Sequence, residues 1–477
     1  MSRILFVAAE GLPFCKSGGL ADVIGSLPQA LRQEQEEVRV VLPLYLGIAQ
    51  KHRHTFTERS RFEIDFGYFH SVVTIFEKEV DGIVYYFVEH GPYFERDALY
   101  GYPDDGERFS FFQIAVLEML RHLEYFPEII HSHDWHAGMI PVLAKVKYAD
   151  DARYQAIKHI YTIHNLAYQG YFPKEVLGSC LGLPMSLFEN GSLQFQDGIS
   201  FMKGGILYAD KVTTVSRTYA QEILTPQFGE RMDRVLEMRK GDLSGIVNGL
   251  DIEMWDPKTD SNLVHPQSSR AAKIKNKLAL QERLGLRQSK DVMLVSLVTR
   301  LTWQKGLYLL LDKIEEVLAN DVQLVILGNG DTQIENTLKE IEYKYKRRVC
   351  FYCGYNEALA HQIYAGSDLF VMPSLFEPCG ISQLIAMRYQ TIPLVRETGG
   401  LKDTVIPYNE YTKEGFGFTF APYQSSDFLY TFKRAVDFYY DKQDDWANMM
   451  KQAGKQDVSW QKSAQEYCKL YSDLLNQ

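Results

Sequence analysis

Two short apolar runs, Ile4–Ala9 and Val292–Thr299, constrain the fold of this chain more than any other feature. Each is rich in β-formers and ends in glycine or charge, which is the pattern of a strand buried on both faces of a parallel sheet. Each also opens a series in which strand and helix patterns alternate. In the first half the later strands read as Val38–Leu44, Ile129–His133, His159–Ile163 and Lys211–Val215, with Val72–Phe76 and Val84–Val88 as a hairpin inserted around Asp81-Gly82. In the second half they read as Gln323–Leu327, Val349–Cys353, Leu369–Met372 and Ile392–Val395. Such alternation predicts two doubly wound α/β sheets. Ligands of these sheets bind beyond the carboxyl ends of the strands, so the chemistry is expected in a cleft between two domains.

A chain of 477 residues would make about three domains at roughly 150 residues each, and two large α/β domains fit equally well. The boundary is expected within 246–251, giving domains 1–247 and 248–458. The segment 459–477 carries Trp460, Tyr467, Leu470, Tyr471 and Leu474 at near-helical spacing, as a helix packing back on the first domain. Hydrophobic residues at 46% and charged ones at 23% mark a soluble globular chain, not a disordered or fibrous one. With 51 Lys+Arg against 61 Asp+Glu the net charge is −10, and no long basic run appears, which argues against nucleic-acid binding. An anionic ligand must therefore be held locally. No stretch is long and apolar enough for a membrane span, and the opening run is too short for a signal peptide. Six cysteines without a regular framework suit a reducing compartment, so the cytoplasm is expected.

The residues that follow the strands carry the candidate chemistry. After the first comes Glu10-Gly11-Leu12-Pro13-Phe14-Cys15-Lys16-Ser17-Gly18-Gly19-Leu20-Ala21-Asp22, neither a Walker motif nor GxGxxG. Its glycines allow close backbone approach, the following helix offers N–H groups, and Lys16 offers a point charge for phosphate; a simple glycine turn with a solvated lysine is the alternative. In the second half, Arg300 and Lys305 of Thr299-Arg300-Leu301-Thr302-Trp303-Gln304-Lys305-Gly306 could flank a pyrophosphate or lie solvated on the surface. His131-Ser132-His133-Asp134-Trp135-His136 invites a metal, but no fourth ligand is specified and no metal is expected. Asp134 is either a helix cap or an acceptor for a substrate hydroxyl. His164, in Thr162-Ile163-His164-Asn165, is either structural or directed to the same edge as Asp134 and Lys16.

Cys350 and Cys353 would fall on opposite faces of a strand, which disfavours both zinc and a redox disulfide. Tyr355 beyond them could stack on a nucleobase or fill the core. Glu377, in Glu377-Pro378-Cys379-Gly380, precedes a helix, where capping is the plain alternative to a catalytic role; Thr398-Gly399-Gly400-Leu401 is a further glycine turn suited to phosphate or sugar hydroxyls. The 30 tyrosines could offer stacking platforms, although core packing accounts for them more simply.

Taken in order, Lys16-Ser17-Gly18-Gly19-Leu20-Ala21-Asp22, His133-Asp134-Trp135-His136, Thr162-Ile163-His164-Asn165, Arg300-Leu301-Thr302 with Gln304-Lys305-Gly306, Glu377-Pro378-Cys379-Gly380 and Thr398-Gly399-Gly400-Leu401 resemble the bacterial and plant-type glycogen and starch synthases over essentially the whole chain. The resemblance implies two Rossmann-like domains facing a deep cleft, the GT-B fold, with donor held by the second domain and acceptor by the first. It implies a retaining hexosyltransferase that uses ADP-glucose, releases ADP, extends an α-1,4-glucan and needs no cofactor or metal.

By the same similarity Lys16, Arg300 and Lys305 neutralise the diphosphate, with Gly18, Gly19, Cys379, Gly380 and Thr398 on the donor side. Gly399 and Gly400 approach the phosphates, and Tyr355 lies beside the adenine. Glu377, Asp134 and His164 surround the transferred glucose, Asp22, His133 and Asp134 lie on the acceptor side, and Asn248-Gly249 forms a hinge and cleft floor, with Asn248 among the donor-binding residues. Many retaining enzymes of this fold carry a second Glu eight positions after the first, but here that position is Ile385, so no second carboxylate role carries over. The competing expectations are a transferase with another acceptor, or a noncatalytic nucleotide-sugar or glucan-binding protein.

Overall fold

A computed structural model describes residues 1–476, and the chain divides into two compact units: Met1–Asn248 together with the chain from Trp460 onward, and Gly249–Ser459. The first unit is built on a nine-stranded sheet. Its strands are β1 (Arg3–Val7), β2 (Glu37–Pro43), β3 (Thr57–Phe66), β4 (Phe69–Val80), β5 (Ile83–Glu89), β6 (Ile129–His133), β7 (Lys158–Ile163), β11 (Lys211–Thr214) and β12 (Leu243–Gly245). Between β7 and β11 the chain makes a small antiparallel sheet from β8 (Tyr171–Phe172), β9 (Gln194–Phe195) and β10 (Gly198–Ser200).

The large sheet runs in the order β12-β11-β7-β6-β1-β2-β5-β4-β3, parallel throughout except for the antiparallel β3–β4 and β4–β5 pairs. Connections leave β1 toward β2 on one side and β6 on the other, so the switch point lies between β1 and β6. The β4–β5 hairpin turns at Asp81-Gly82, both with positive φ, the geometry of a two-residue type I′ turn. The hairpin expected around Asp81-Gly82 is therefore present, and it is part of the main sheet. β5 pairs parallel with β2, and β3 continues the sheet beyond β4.

The helix Gln461–Leu475 belongs to this unit. Trp460, Ala464, Tyr467, Tyr471 and Leu474 join the same apolar core as Ile4–Ala9 and Val38–Leu42. Ser463 Oγ donates to Val247 O over 2.5 Å.

The second unit has a six-stranded, all-parallel sheet in the order β15-β14-β13-β16-β17-β18. Its strands are β13 (Met293–Val298), β14 (Val322–Gly328), β15 (Val349–Cys353), β16 (Leu369–Met372), β17 (Ile392–Arg396) and β18 (Phe418–Phe420). Alternate residues of β13 feed two cores: Met293, Val295 and Leu297 pack on one side and Leu294 on the other, which covers both faces with helices. Its switch point lies between β13 and β16. Asp331, Asn356 and Ser269 each cap a helix of this unit through the side chain. Cys350 is part-buried and Cys353 exposed, with no disulfide between them. No helix among the described residues is long and apolar enough to cross a membrane.

Candidate active site

In the first unit the carboxyl ends of three adjacent strands, β1, β6 and β7, deliver Glu10, Asp134 and His164. Glu10 is almost fully buried and takes the backbone N–H groups of Ser17 and Gly18, so the glycine loop is folded over a carboxylate. Tyr100 OH donates to Glu10 over 3.4 Å and also pairs with Ser17 Oγ. Burial, only partly offset by the hydrogen bonds from Ser17 and Gly18, raises the Glu10 carboxyl above the usual carboxylate range.

Asp134 sits at φ 57 and ψ −178, a conformation that costs a non-glycine residue about 1–3 kcal/mol and that clusters at functional sites. Two bonds to β7 and its end hold it there: its N–H donates to Thr162 O at 3.0 Å, and its carboxylate accepts from His164 N–H at 2.8 Å. The carboxylate makes no bond to the helix that follows, so the capping alternative is corrected: its reach is across to the neighbouring strand. Protein atoms enclose the carboxyl, and this desolvation pushes its pKa from 3.8 to about 7 despite the N–H donors of His164 and Asn165. Burial also drives His164 down to about 3, which keeps it neutral at physiological pH.

His131 is bonded at both nitrogens, to Tyr471 OH at 2.9 Å and Thr162 Oγ1 at 2.6 Å, and among the described residues no cluster of His, Cys, Asp and Glu is placed to hold a metal. His133 is fully buried, its ring packed among Phe6, His131 and His164. Lys16 lies half-exposed with its Nζ 2.6 Å from Asp22, so the two residues assigned to donor and acceptor are partners of each other. Asn248 is buried at the end of the unit.

In the second unit the carboxyl ends of β13 and β16 flank the switch point. Lys305 follows β13, Glu377 follows β16, and Lys305 Nζ lies 2.9 and 2.7 Å from the two carboxylate oxygens. Ser374 Oγ adds a third donor to Glu377 at 3.1 Å. Glu377 is 6% exposed, and its partners lie on neighbouring loops, so helix capping does not account for it. A cavity of about 60 Å³ lies here, lined in part by Thr299, Lys305, Ser374, Glu377 and Gly380.

The motif glycines hold this geometry. Gly306 has φ 68, and a Cβ there would stand 1.9 Å from Pro373 O; at Gly399, φ 44, it would stand 1.9 Å from Glu377 O. Leu375 N–H donates to Gln304 O at 2.9 Å, and Gly400 N–H donates to the carbonyls of Glu377 and Pro378. The expectation that Gly399-Gly400 serve the phosphates is thereby refined. Their visible work is to let the chain close against the Glu377 loop, and the Gly400 N–H is already committed to that loop.

Arg300 is exposed and makes no ion pair among the described residues, while Tyr355 is 68% exposed, which removes it from the core. Cys379 and Thr398 are buried beside these loops, Gly380 turns at φ 76, and Gly18 and Gly19 open the first helix. Ile385 is buried in the core, so its position offers no second carboxylate. Glu10, Tyr100 and Ser374 were given no role from sequence. Glu10 could have been found as the charged residue that ends an apolar parallel strand; Tyr100 and Ser374 carry no such signal.

Comparison with known proteins agrees with this geometry. Residues 3–238 match the starch synthase catalytic domain and residues 280–457 match the glycosyl transferases group 1. A glycogen synthase of Bacillus cereus is 48% identical over 475 residues, covering 99% of this chain and 100% of the relative, and one of Clostridium botulinum is 46% identical over 99% of both. Among solved structures, the catalytic domain of starch synthase IV from Arabidopsis thaliana, bound to ADP and acarbose, superposes with a TM-score of 0.90 at 34% identity over the whole of both chains. A sucrose-phosphate synthase from Thermosynechococcus elongatus, at TM-score 0.62 and 17% identity over the whole of both chains, shares the fold alone. Two α/β sheets, one mainly and one wholly parallel, each with a switch point furnished by these motifs, and full-length identity near one half lead to one conclusion: the chain belongs to the glycogen synthase family, the GT-B glucosyltransferases that build α-1,4-glucan from ADP-glucose.

Proposed function

We propose that the chain lengthens an α-1,4-glucan at its non-reducing end, taking glucose from ADP-glucose with retention at the anomeric carbon. The observation that carries this reading is the part-buried Lys305–Glu377 pair at the second switch point, a cation and a carboxylate held ready where a donor would lie. The acceptor hydroxyl attacks the anomeric carbon, the bond from that carbon to phosphate oxygen breaks, and ADP leaves. A departing phosphate oxygen takes the acceptor's proton, so the balance needs no added base. The attack comes from the face that ADP vacates, which gives retention.

The leaving group is already good once its charge is stabilised, so the largest contribution is electrostatic. An ammonium has three donors; two of those of Lys305 meet Glu377, and one remains for a phosphate oxygen. Arg300, exposed and without an ion pair among the described residues, supplies a fork for the same diphosphate, and Lys16 adds a point charge by exchanging Asp22 for phosphate. Tyr355 offers its exposed ring to the adenine. Glu377 orients sugar hydroxyls, Asp134 accepts one, and the carbonyl of His164 faces the positive charge that develops on the ring. The starch synthase structure bound to ADP and acarbose supports a nucleoside diphosphate on this fold. The reaction is placed in the cytoplasm, in keeping with six cysteines in no regular framework.

The test is a matrix of ADP-glucose and UDP-glucose against glycogen and small sugar acceptors, with the product anomer determined by NMR. ADP release that depends on glycogen and yields an α-linked product is the expected result. Transfer to small sugars alone, a β-linked product, or donor binding without turnover would each sink the reading.

A further inference from the structure

The buried histidine pair His133 and His164 carries information that the proposed reaction leaves unused. His133 Nδ1 and His164 Nε2 are 3.0 Å apart, so one ring donates to the other. The other nitrogen of His133, Nε2, is buried and meets no hydrogen-bond partner. An orphaned buried N–H is rarer and costlier than an under-satisfied acceptor, so the proton of His133 belongs on Nδ1, and the orphan is a bare lone pair. His164 must then accept at Nε2. Being neutral, it carries its single proton on Nδ1, for which no protein acceptor is found among the described residues.

The plane of His133 is itself fixed. Its ring stacks on His131 with centroids 4.3 Å apart and 25° between planes, and Phe6 closes one side at 4.9 Å. His131 is held in turn by Tyr471 OH and Thr162 Oγ1, and Thr162 Oγ1 lies 2.6 Å from Thr213 Oγ1. A donor so tightly seated has one partner and one direction.

We propose that His133 is a positioning residue that locks His164 in the Nδ1–H tautomer, so that His164 presents a neutral N–H donor to a substrate oxygen beyond the carboxyl end of β7. Free imidazole side chains favour the other tautomer, and the bond from His133 reverses that preference. The proposal rests on the transfer reaction above only for its kinetic consequence, because the tautomer itself is measurable without substrate.

The experiment uses the full chain with ¹⁵N-labelled histidine. In the unaltered protein, His164 is expected to show a protonated Nδ1 and a pyridine-like Nε2 across neutral pH. His133→Asn, whose amide N–H stands where Nδ1–H stood, should keep that signature and hold kcat within about 3-fold. His133→Leu, which cannot donate, should move the proton to Nε2 of His164 and lower kcat on the order of 10-fold with a smaller change in the ADP-glucose KM. A protonated Nε2 on His164 in the unaltered protein overturns the proposal, even if His133→Leu fails to fold. Equal damage from His133→Asn and His133→Leu in folded proteins also overturns it. Absence of any glucosyl transfer by the unaltered protein would instead count against the function proposed above and leave the tautomer measurement standing.

Discussion

The two switch points occupy the same address in their sheets and are electrostatic opposites. In the first unit Glu10 and Asp134 are carboxylates with no bonded cation, raised by burial, and the neighbouring histidines are held neutral. In the second, Lys305 and Glu377 meet as a full ion pair, with the Arg300 guanidinium exposed nearby in sequence. A site that suppresses charge suits the hydrogen bonding of sugar hydroxyls; a site that keeps charge suits a diphosphate. One architecture thus serves two chemistries through what each carboxylate is given as a partner.

The sharpest way to break this contrast is to remove charge from the second unit. Lys305→Ala and Glu377→Ala should each lower turnover on the order of 100-fold or more, measured as ADP release with saturating glycogen. Near-native rates for both would refute the site. Lys305→Ala also strands the buried Glu377 carboxylate, at a cost of about 3–5 kcal/mol in unfolding free energy. Lys305→Met combined with Glu377→Gln should therefore regain much of that stability in denaturant titration while turnover stays low. If stability losses simply add, the pair is not the coupled unit described here.

The first unit predicts a pH dependence of the opposite kind. An acid whose folded pKa, about 7, exceeds its value of 3.8 in the unfolded chain holds its proton more tightly when folded. The folded state thus loses stability as pH rises from about 4 to about 7, and the whole penalty, at most about 4 kcal/mol, is present above that window. Asp134→Asn removes the titration but keeps the acceptor for His164 N–H. Its melting temperature should rise relative to the parent between pH 4 and pH 8, and a pH-independent difference would contradict the buried, unpaired carboxyl. The smallest expected effect is at Lys16: Lys16→Ala should raise the ADP-glucose KM by about 10-fold with kcat little changed, since an exposed cation on phosphate contributes on the order of 1 kcal/mol. An unchanged donor KM would remove Lys16 from the diphosphate.

Much of this was legible in the chain because buried parallel strands are written as apolar runs, and the residues that end them are the ones the fold exposes to ligand. β6 and β15 fall where the runs place them, and Asp134 and His164 follow the ends of neighbouring strands as expected. β3 was missed for a physical reason. Its sequence, Thr57-Glu58-Arg59-Ser60-Arg61-Phe62-Glu63-Ile64-Asp65-Phe66, lies at the sheet edge with only Phe62, Ile64 and Phe66 buried, so no apolar run marks it. Partnerships were equally hidden. Nothing local says that Lys305 turns to a carboxylate 72 positions away, that Lys16 turns to Asp22, or that Glu10 gathers the N–H groups of the loop after it. Those choices depend on loop packing, which the glycines at 306 and 399 permit but do not spell out.

The return of the last helix to the first unit has a consequence for how the protein is made. Tyr467, Tyr471 and Leu474 are part of the core that β1 begins, and Tyr471 holds the first buried histidine of β6. On the ribosome, the first unit emerges with this gap in its interior and must wait for the entire second unit to be synthesised. At roughly 5–20 residues per second that delay is on the order of 10–40 s. During it the nascent chain exposes apolar surface that only the helix Gln461–Leu475 can cover, so the first core is completed after the second unit has been made.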